Sequence, residues 1–299
     1  MTMERIGFVG VGLMGRAMSK NLLTKGYPLT VIAHRNREAV EALVSKGATE
    51  ASTHAELAAN ADVIIICVTT SAAVESIITG ETGLLAGIKA GTLVIDCGTS
   101  DPTSTARLGE ALETKGASMI DAPLGRTPLH AEQGLLNMMV GGNEADVKKV
   151  WPIFEVLAEN IFHVGPLGSG HKLKLINNFF AMTMASAISE AAAMAAKTGV
   201  DLQNLYDVMS AGPLKSGMFD FVMANALRGD ASNLQFSVAN ARKDVGYYLR
   251  MAEAADMPSF MGPATYHLLS MARADGRGED FVPTLCDYVG DIGGVKLHG

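Results

Sequence analysis

The chain is poor in cysteine, in charge and in anything repetitive, and each shortage removes a class of function. Its three cysteines, Cys67, Cys97 and Cys286, have neither metal-site nor redox-dithiol spacing. They read as buried thiols of a reducing compartment. Seven histidines are scattered without ligand spacing, so no metal is expected. Charged residues make up 18% of the chain and the formal net charge is −7, which argues against nucleic acid or an anionic membrane as partner. A small anionic ligand stays open, because a site is set by local charge. No basic n-region or cleavage site precedes the first strand-like run. The longest apolar stretch, Leu175–Ala196, is interrupted by Asn177, Asn178 and Glu190. It reads as a buried helix rather than a membrane span, and a cytoplasmic location is expected. Internal repeats and low-complexity tracts are also missing.

What is present is an alternation. Short, apolar, mostly β-branched runs at Ile6–Val9, Leu29–Ala33, Val63–Val68, Leu93–Asp96, Met119–Asp121, Leu136–Val140 and Ile161–Val164 read as strands covered on both faces. Amphipathic stretches such as Gly15–Lys25 and Thr103–Lys115 lie between them. This order predicts a parallel sheet wrapped by helices. After Gly165 no convincing strand appears, only long helical patterns punctuated by Gly and Pro. The expected architecture is an α/β Rossmann-type nucleotide-binding domain over residues 1–165 and an all-α domain over 166–299. The boundary falls near GPLGSG, 165–170.

In IGFVGVGLMGRAM, Gly10, Gly12 and Gly15 form a G-x-G-x-x-G pattern directly after a strand and at the head of a helix. Leu13 and Met14 stand inside it. Glycine there permits a tight turn and close approach of a pyrophosphate, whose charge the helix N-terminus favours. A dinucleotide site is predicted. An NAD site usually places an acid at the end of the second strand, about 20 residues on. Here Ala33 stands at that point, followed by His34, Arg35, Asn36 and Arg37. Losing the acid removes repulsion of a 2′-phosphate, and an arginine can pair with that phosphate as a fork. NADP(H) is expected to be preferred, with NAD(H) possible.

At the domain boundary, GSGHKLKLINNFF places Lys174 and Asn178 four residues apart, on one helix face. Two polar groups heading an apolar helix are expensive to bury without a purpose. A lysine there can protonate a carbonyl oxygen as hydride arrives, or take the proton in reverse. Asn178 would orient the amine or the substrate. A solvated surface lysine is the alternative, and Lys172 reads as one.

Taken in order, these motifs resemble the β-hydroxyacid dehydrogenases of the 3-hydroxyisobutyrate dehydrogenase and tartronate semialdehyde reductase type. The likeness runs nearly end to end, through GVGLMG, DCGTSDP (96–102), DAPLGRT (121–127), GSGHKLKLINN and RKD (242–244). It implies that Lys174 is the catalytic lysine and Asn178 its partner. It also implies that Thr99 lies near the nicotinamide, that Val68 and Thr69 belong with the cofactor residues, and that Lys243 closes the site. A long interdomain helix, a homodimer or homotetramer, and a small anionic aldehyde or hydroxy acid as substrate are further implications. The reaction would interconvert a 3-hydroxy acid and its semialdehyde.

Where that family commonly reads D-x-P-V-S-G-G, this chain has Gly125, Arg126 and Thr127. These three, with Asn177 and Asn178, are the candidate substrate residues. Arginine adds a full charge and a planar fork of donors, and threonine adds a hydroxyl. That exceeds what a carboxylate needs and suits a three-oxygen anion such as a sulfonate. With NNF after the lysine, the GRT turn resembles the 3-sulfolactaldehyde reductase branch. The alternatives are 3-hydroxyisobutyrate oxidation, tartronate or succinate semialdehyde reduction, and an Arg126 that merely pairs with a surface carboxylate. A redox-dead NADP-binding reader is the non-enzyme alternative, and the presence of Lys174 speaks against it.

Overall fold

A computed structural model describes residues 3–34 and 37–298. It contains two compact units, one through Lys174 and the other from Leu175 onward. That division falls inside a helix rather than in the GPLGSG turn, because the first turns of the helix pack with the first unit.

The first unit runs β1 (Ile6–Val9), α1 (Leu13–Thr24), β2 (Leu29–Ile32), α2 (Arg37–Val44), β3 (Thr49–Ala51), α3 (His54–Ala59), β4 (Val63–Ile66), α4 (Ser71–Thr79), β5 (Leu93–Asp96), α5 (Pro102–Glu113) and β6 (Ser118–Asp121). It continues with β7 (Leu124–Gly125), α6 (Pro128–Glu132), β8 (Leu136–Gly141), α7 (Glu144–Leu157), β9 (Ala158–Gly165) and the start of α8 (Ser169–Thr198). The strand order is β3-β2-β1-β4-β5-β6-β8-β7, with β9 on β8. The first six are parallel, and β8 joins β6 antiparallel. Every residue of β1, β4 and β5 is buried, as both-face coverage demands. Alternate side chains enter two separate cores: Phe8, Ile65 and Ile95 in one, Val9, Ile64, Ile66 and Val94 in the other. Each such side chain contributes roughly 1.5–3 kcal/mol.

Two strands were not foreseen. Thr49–Ala51 is a short, partly exposed edge strand and Leu124–Gly125 has only two residues, so neither has an apolar run to betray it. Two others stop short of expectation. β2 ends before Ala33 and β4 ends at Ile66, leaving Val68 and Thr69 in the following loop. Helix starts obey local capping. Thr70 accepts the Ala73 amide at α4, and Asp101 accepts the Thr103 amide at α5, with Pro102 in its first turn. All three cysteines are free, and burial pushes the Cys67 and Cys286 thiols up to about 12.

The second unit holds the remainder of α8 with α9 (Leu202–Ser210), α10 (Gly217–Arg228), α11 (Val238–Ala254), α12 (Gly262–Ala272) and α13 (Leu285–Gly293). Among the described residues its β structure is one isolated bridge, Ser237 to Phe281. By length and composition α8 could cross a membrane. Its Met182, Ala185, Ile188 and Ala192 instead pack in the helical core with Phe219, Val222, Val245 and Leu269, which accounts for the apolar composition. Asp201, Ser216 and Ser237 cap α9, α10 and α11 by accepting the amides of Asn204, Phe219 and Asn240.

The leads into β1 and β4 are tied by Asp62, which accepts from the Arg5 amide and Nε at 3.0 Å each and from Nη2 at 2.6 Å. The Arg5 side-chain bonds hold the Asp62 carboxyl down to about 2. A depressed carboxyl stabilises above its unfolded value near 3.8 and loses that contribution as pH falls toward about 2. The pair is partly exposed, so solvent screening leaves about 1 kcal/mol of the full shift. Asp62→Asn should therefore lower stability to urea by about that amount at pH 7. The difference from the parent should vanish as pH approaches 2.

Candidate active site

The sequence of strands reverses direction at β1, which lies between β2 and β4. In open parallel sheets ligands bind at the carboxyl ends of strands beside such a reversal. Three glycines at this place do three different things. Gly10 has φ +100°, and a Cβ there would lie 2.3 Å from the Cys67 carbonyl and 2.9 Å from Val68 Cγ1. A Cβ on Gly15 would lie 1.9 Å from the Gly10 carbonyl, so the helix can dock only without one. A Cβ on Gly12 would meet nothing within 4 Å. Gly12 faces space that the protein does not use, as close approach of a pyrophosphate requires. As N-cap of α1 it supplies no side-chain acceptor, and the first turn contains no acid. Leu13 is exposed and Met14 half-buried. These residues fit a dinucleotide.

Beyond β2, Ala33 is half-buried and His34 exposed. Arg35 and Asn36 lie outside the described residues. Arg37 opens α2, and its guanidinium grips Glu50 through Nη1 at 2.7 Å and Nη2 at 3.0 Å. Of the basic run after β2, this arginine is committed to the protein itself.

Asp96, at the end of β5, accepts the Gly98 amide at 2.8 Å and the Ser100 hydroxyl at 2.7 Å. A Cβ on Gly98 would lie 2.7 Å from the Val68 carbonyl. The loop carrying half-buried Thr99 is thus drawn against Val68, which also borders Gly10, while Thr69 is exposed. At the end of β6, Asp121 accepts the Gly168 and His171 amides at 2.6 Å each. Burial raises the Asp121 carboxyl, opposed by His171 and these amides. Lys174 follows on α8, half-buried, whereas Lys172 is exposed as expected.

Arg126 has φ +75°, a left-handed backbone. Its Nη1 donates to the Leu135 carbonyl at 2.7 Å and to the Glu159 carboxylate on β9. The Nε and Nη2 nitrogens donate to no described residue. Gly125 pairs with Asn137 across β7 and β8, and the Thr127 hydroxyl bonds His130 Nδ1 at 2.7 Å.

In the second unit, Asn178 is buried and its Nδ2 donates to Asp244 Oδ2 at 2.6 Å. Exposed Asn177 donates to Asn178 Oδ1 at 3.1 Å. Lys243 pairs with Asp244 Oδ1 at 2.8 Å and lies 5.0 Å over the Tyr247 ring. Asp244 is the hub of this group; the sequence marks it as half of a Lys-Asp pair in the RKD motif but assigns a role to Lys243 alone. Asp96 and Asp121 were missed by sequence reasoning; the signal was an acid closing a buried strand. Glu159 had no signal at all.

Because Gly12 has φ −76° and open space around it, alanine fits there without strain. Gly12→Ala should keep the parental Tm while weakening NAD(P)H binding at least about tenfold by fluorescence titration, since only the bound pyrophosphate needs the room. A matched loss of Tm would mean the glycine serves the fold instead.

Residues 5–165 match the NAD binding domain of 6-phosphogluconate dehydrogenase, and residues 168–285 match the NAD-binding family of NADP-dependent 3-hydroxyisobutyrate dehydrogenase. The chain is 35% identical over 277 residues to 3-sulfolactaldehyde reductase of Escherichia coli (strain K12), covering 92% of each chain. The structure of Mycobacterium tuberculosis 3-hydroxyisobutyrate dehydrogenase with L-serine is similar with a TM-score of 0.87 at 26% identity, covering 96% of this chain and 99% of that one. Psf3 in complex with NADP+ and 2-OPP gives a TM-score of 0.82 at 26% identity, covering 95% and 99%. The chain belongs to the β-hydroxyacid dehydrogenase family, and it is an NAD(P)-dependent oxidoreductase interconverting a small hydroxy acid and its semialdehyde.

Proposed function

We propose that this enzyme reduces a short aldehyde ending in a sulfonate, with 3-sulfolactaldehyde the fitting compound, and that it prefers NADP(H). The observation that carries the substrate reading is Arg126. It occupies a left-handed position, φ +75°, where the family commonly has glycine. That conformation costs a side-chain-bearing residue roughly 1–2 kcal/mol, so its guanidinium has a use that outweighs the strain. Leu135 and Glu159 occupy only Nη1, leaving the Nε–Nη2 edge with its parallel N–H bonds for an anion. The 35% identity to an enzyme named for this reaction supports the same reading. Glu159 favours a second one, in which the ion pair persists and backbone amides around Gly125 hold a carboxylate.

The preference for NADP(H) rests on Ala33, which leaves no acid after β2 to repel a 2′-phosphate, and on the basic residues that follow. A bound nicotinamide supplies hydride to the carbonyl carbon. The Lys174 ammonium gives its proton to the carbonyl oxygen and regains one from solvent; in oxidation the amine takes the hydroxyl proton. Asn178, held by Asp244, orients the reacting groups. Exposed Ile176, Phe180 and Met194 leave apolar surface on α8 that a second copy of the chain would bury in a homodimer or homotetramer.

Sulfolactaldehyde and the succinate, methylmalonate and tartronate semialdehydes, each assayed with NADPH and NADH, test both halves. The highest kcat/KM should belong to sulfolactaldehyde with NADPH. Equal or better use of NADH overturns the cofactor reading, and a higher value for a carboxylate overturns the substrate reading.

Arg126→Ala should lower kcat/KM at least about tenfold, because a charge-assisted contact contributes roughly 1.5–3 kcal/mol and a misplaced anion also costs orientation. Arg126→Lys should recover only part, since an ammonium lacks the fork. Near-parental kinetics in both variants would leave Glu159 as the whole purpose of the arginine.

A further inference from the structure

We propose that Asp121 and His171 are positioning residues for Lys174, joining the helix that carries the lysine to the loop that carries Thr99. The proposal rests on the reading of Lys174 as proton donor. Gly168, with φ +88°, precedes helix α8 and has no side chain with which to cap it. The first amides of a helix must still find acceptors. Asp121 meets that need from 47 and 50 residues away, one oxygen on the Gly168 amide and the other on the His171 amide, both at 2.6 Å. A carboxylate there also complements the positive end of the helix.

The head of α8 has no slack against the sheet. A Cβ on Gly170 would lie 2.2 Å from the Met139 carbonyl and 2.9 Å from Asp121 Oδ2. On Gly141 it would lie 2.4 Å from Asp121 Oδ1 and 2.8 Å from the Gly170 nitrogen. Glycine on both the strand and the helix allows this contact. It sets the helix directly on the carboxylate, within one turn of Lys174.

His171 extends the connection. Its ring is fully buried and Nδ1 lies 2.8 Å from the Thr105 hydroxyl. The same nitrogen is 3.7 Å from Asp121 Oδ2, and Nε2 is 3.7 Å from Asp96 Oδ2. Asp96 and Asp121 are register partners on adjacent parallel strands, so two buried carboxylates stand side by side with one imidazole between them. Such a pair repels unless a donor or cation intervenes. Asp96 in turn holds Gly98 and Ser100 on either side of Thr99. Loss of the ring would release both the lysine helix and the Thr99 loop.

The test uses the full chain as Asp121→Asn, His171→Leu and His171→Gln, beside Lys174→Ala. Each is assayed with NADPH and the best aldehyde of the panel, and amide hydrogen exchange is followed over residues 166–174. Asp121→Asn and His171→Leu should lose at least about tenfold in kcat, with KM and cofactor Kd within about threefold of the parent and faster exchange in that segment. His171→Gln, which retains a polar donor, should recover a clear share of the kcat lost in His171→Leu. Parental kcat in folded Asp121→Asn or His171→Leu overturns the proposal. So do equal losses in the two His171 variants, or lost kcat with unchanged exchange. Should Asp121→Asn fail to fold, Thr105→Val removes the partner of Nδ1, together with a bond from that hydroxyl to the Asp101 carbonyl inside its own helix; it should lower kcat at least about threefold with faster exchange, and parental kcat overturns the proposal. An active Lys174→Ala would overturn the reading of the lysine instead, while the exchange result still decides whether Asp121 fixes the helix.

Discussion

Backbone amides at the head of a helix must be given acceptors, and the first unit turns on how two helices meet that requirement. At α8 the acceptor is Asp121, brought in from the end of β6. At α1 the N-cap is Gly12, which offers no side-chain acceptor, and the first turn has no acid. One helix is therefore closed by the fold and the other left for an anionic ligand. A parallel sheet makes this division possible, because all its central strands end on one edge. Gly10, Val68, Thr99 and Asp121 each follow or close one of those strands.

Close backbone approach is the recurring means. Gly10 against Cys67, Gly15 against Gly10, Gly98 against Val68 and Gly170 against Met139 would all clash if they carried a Cβ. Gly10 and Gly15 of the nucleotide turn and Gly170 of the GSG motif thus serve one purpose, bringing backbone to backbone so that loops and helix heads converge. Gly12 and Gly168 have room left over, and Gly168 serves instead through its left-handed backbone, φ +88°.

Arg126 breaks the pattern. A left-handed position that glycine would occupy without cost is given to a residue with a long charged side chain. Its guanidinium spans a backbone carbonyl and a carboxylate from another strand and still has donors to spare. In the second unit the equivalent polar investment is Asp244, which anchors Asn178 and pairs with Lys243. A buried acid with partners on both oxygens holds its neighbours more rigidly than surface pairing could.

What the sequence determined by itself was local and periodic. The G-x-G-x-x-G turn, the alternation of apolar runs with amphipathic segments, and the placement of Lys174 and Asn178 one turn apart all follow from spacing along the chain. Sequence also carried the missing acid at Ala33, since that is a statement about one position. Tertiary structure decided the rest. The short strands β3 and β7 exist only because neighbouring strands give their amides partners, with no hydrophobic run of their own. The Asp96–Asp121 adjacency depends on the register of β5 with β6, and the meeting of Arg126 with Glu159 depends on β9 lying along β8. Residues 33 to 50 positions apart meet through strand pairing and helix docking, and neither leaves a mark in the composition of either segment.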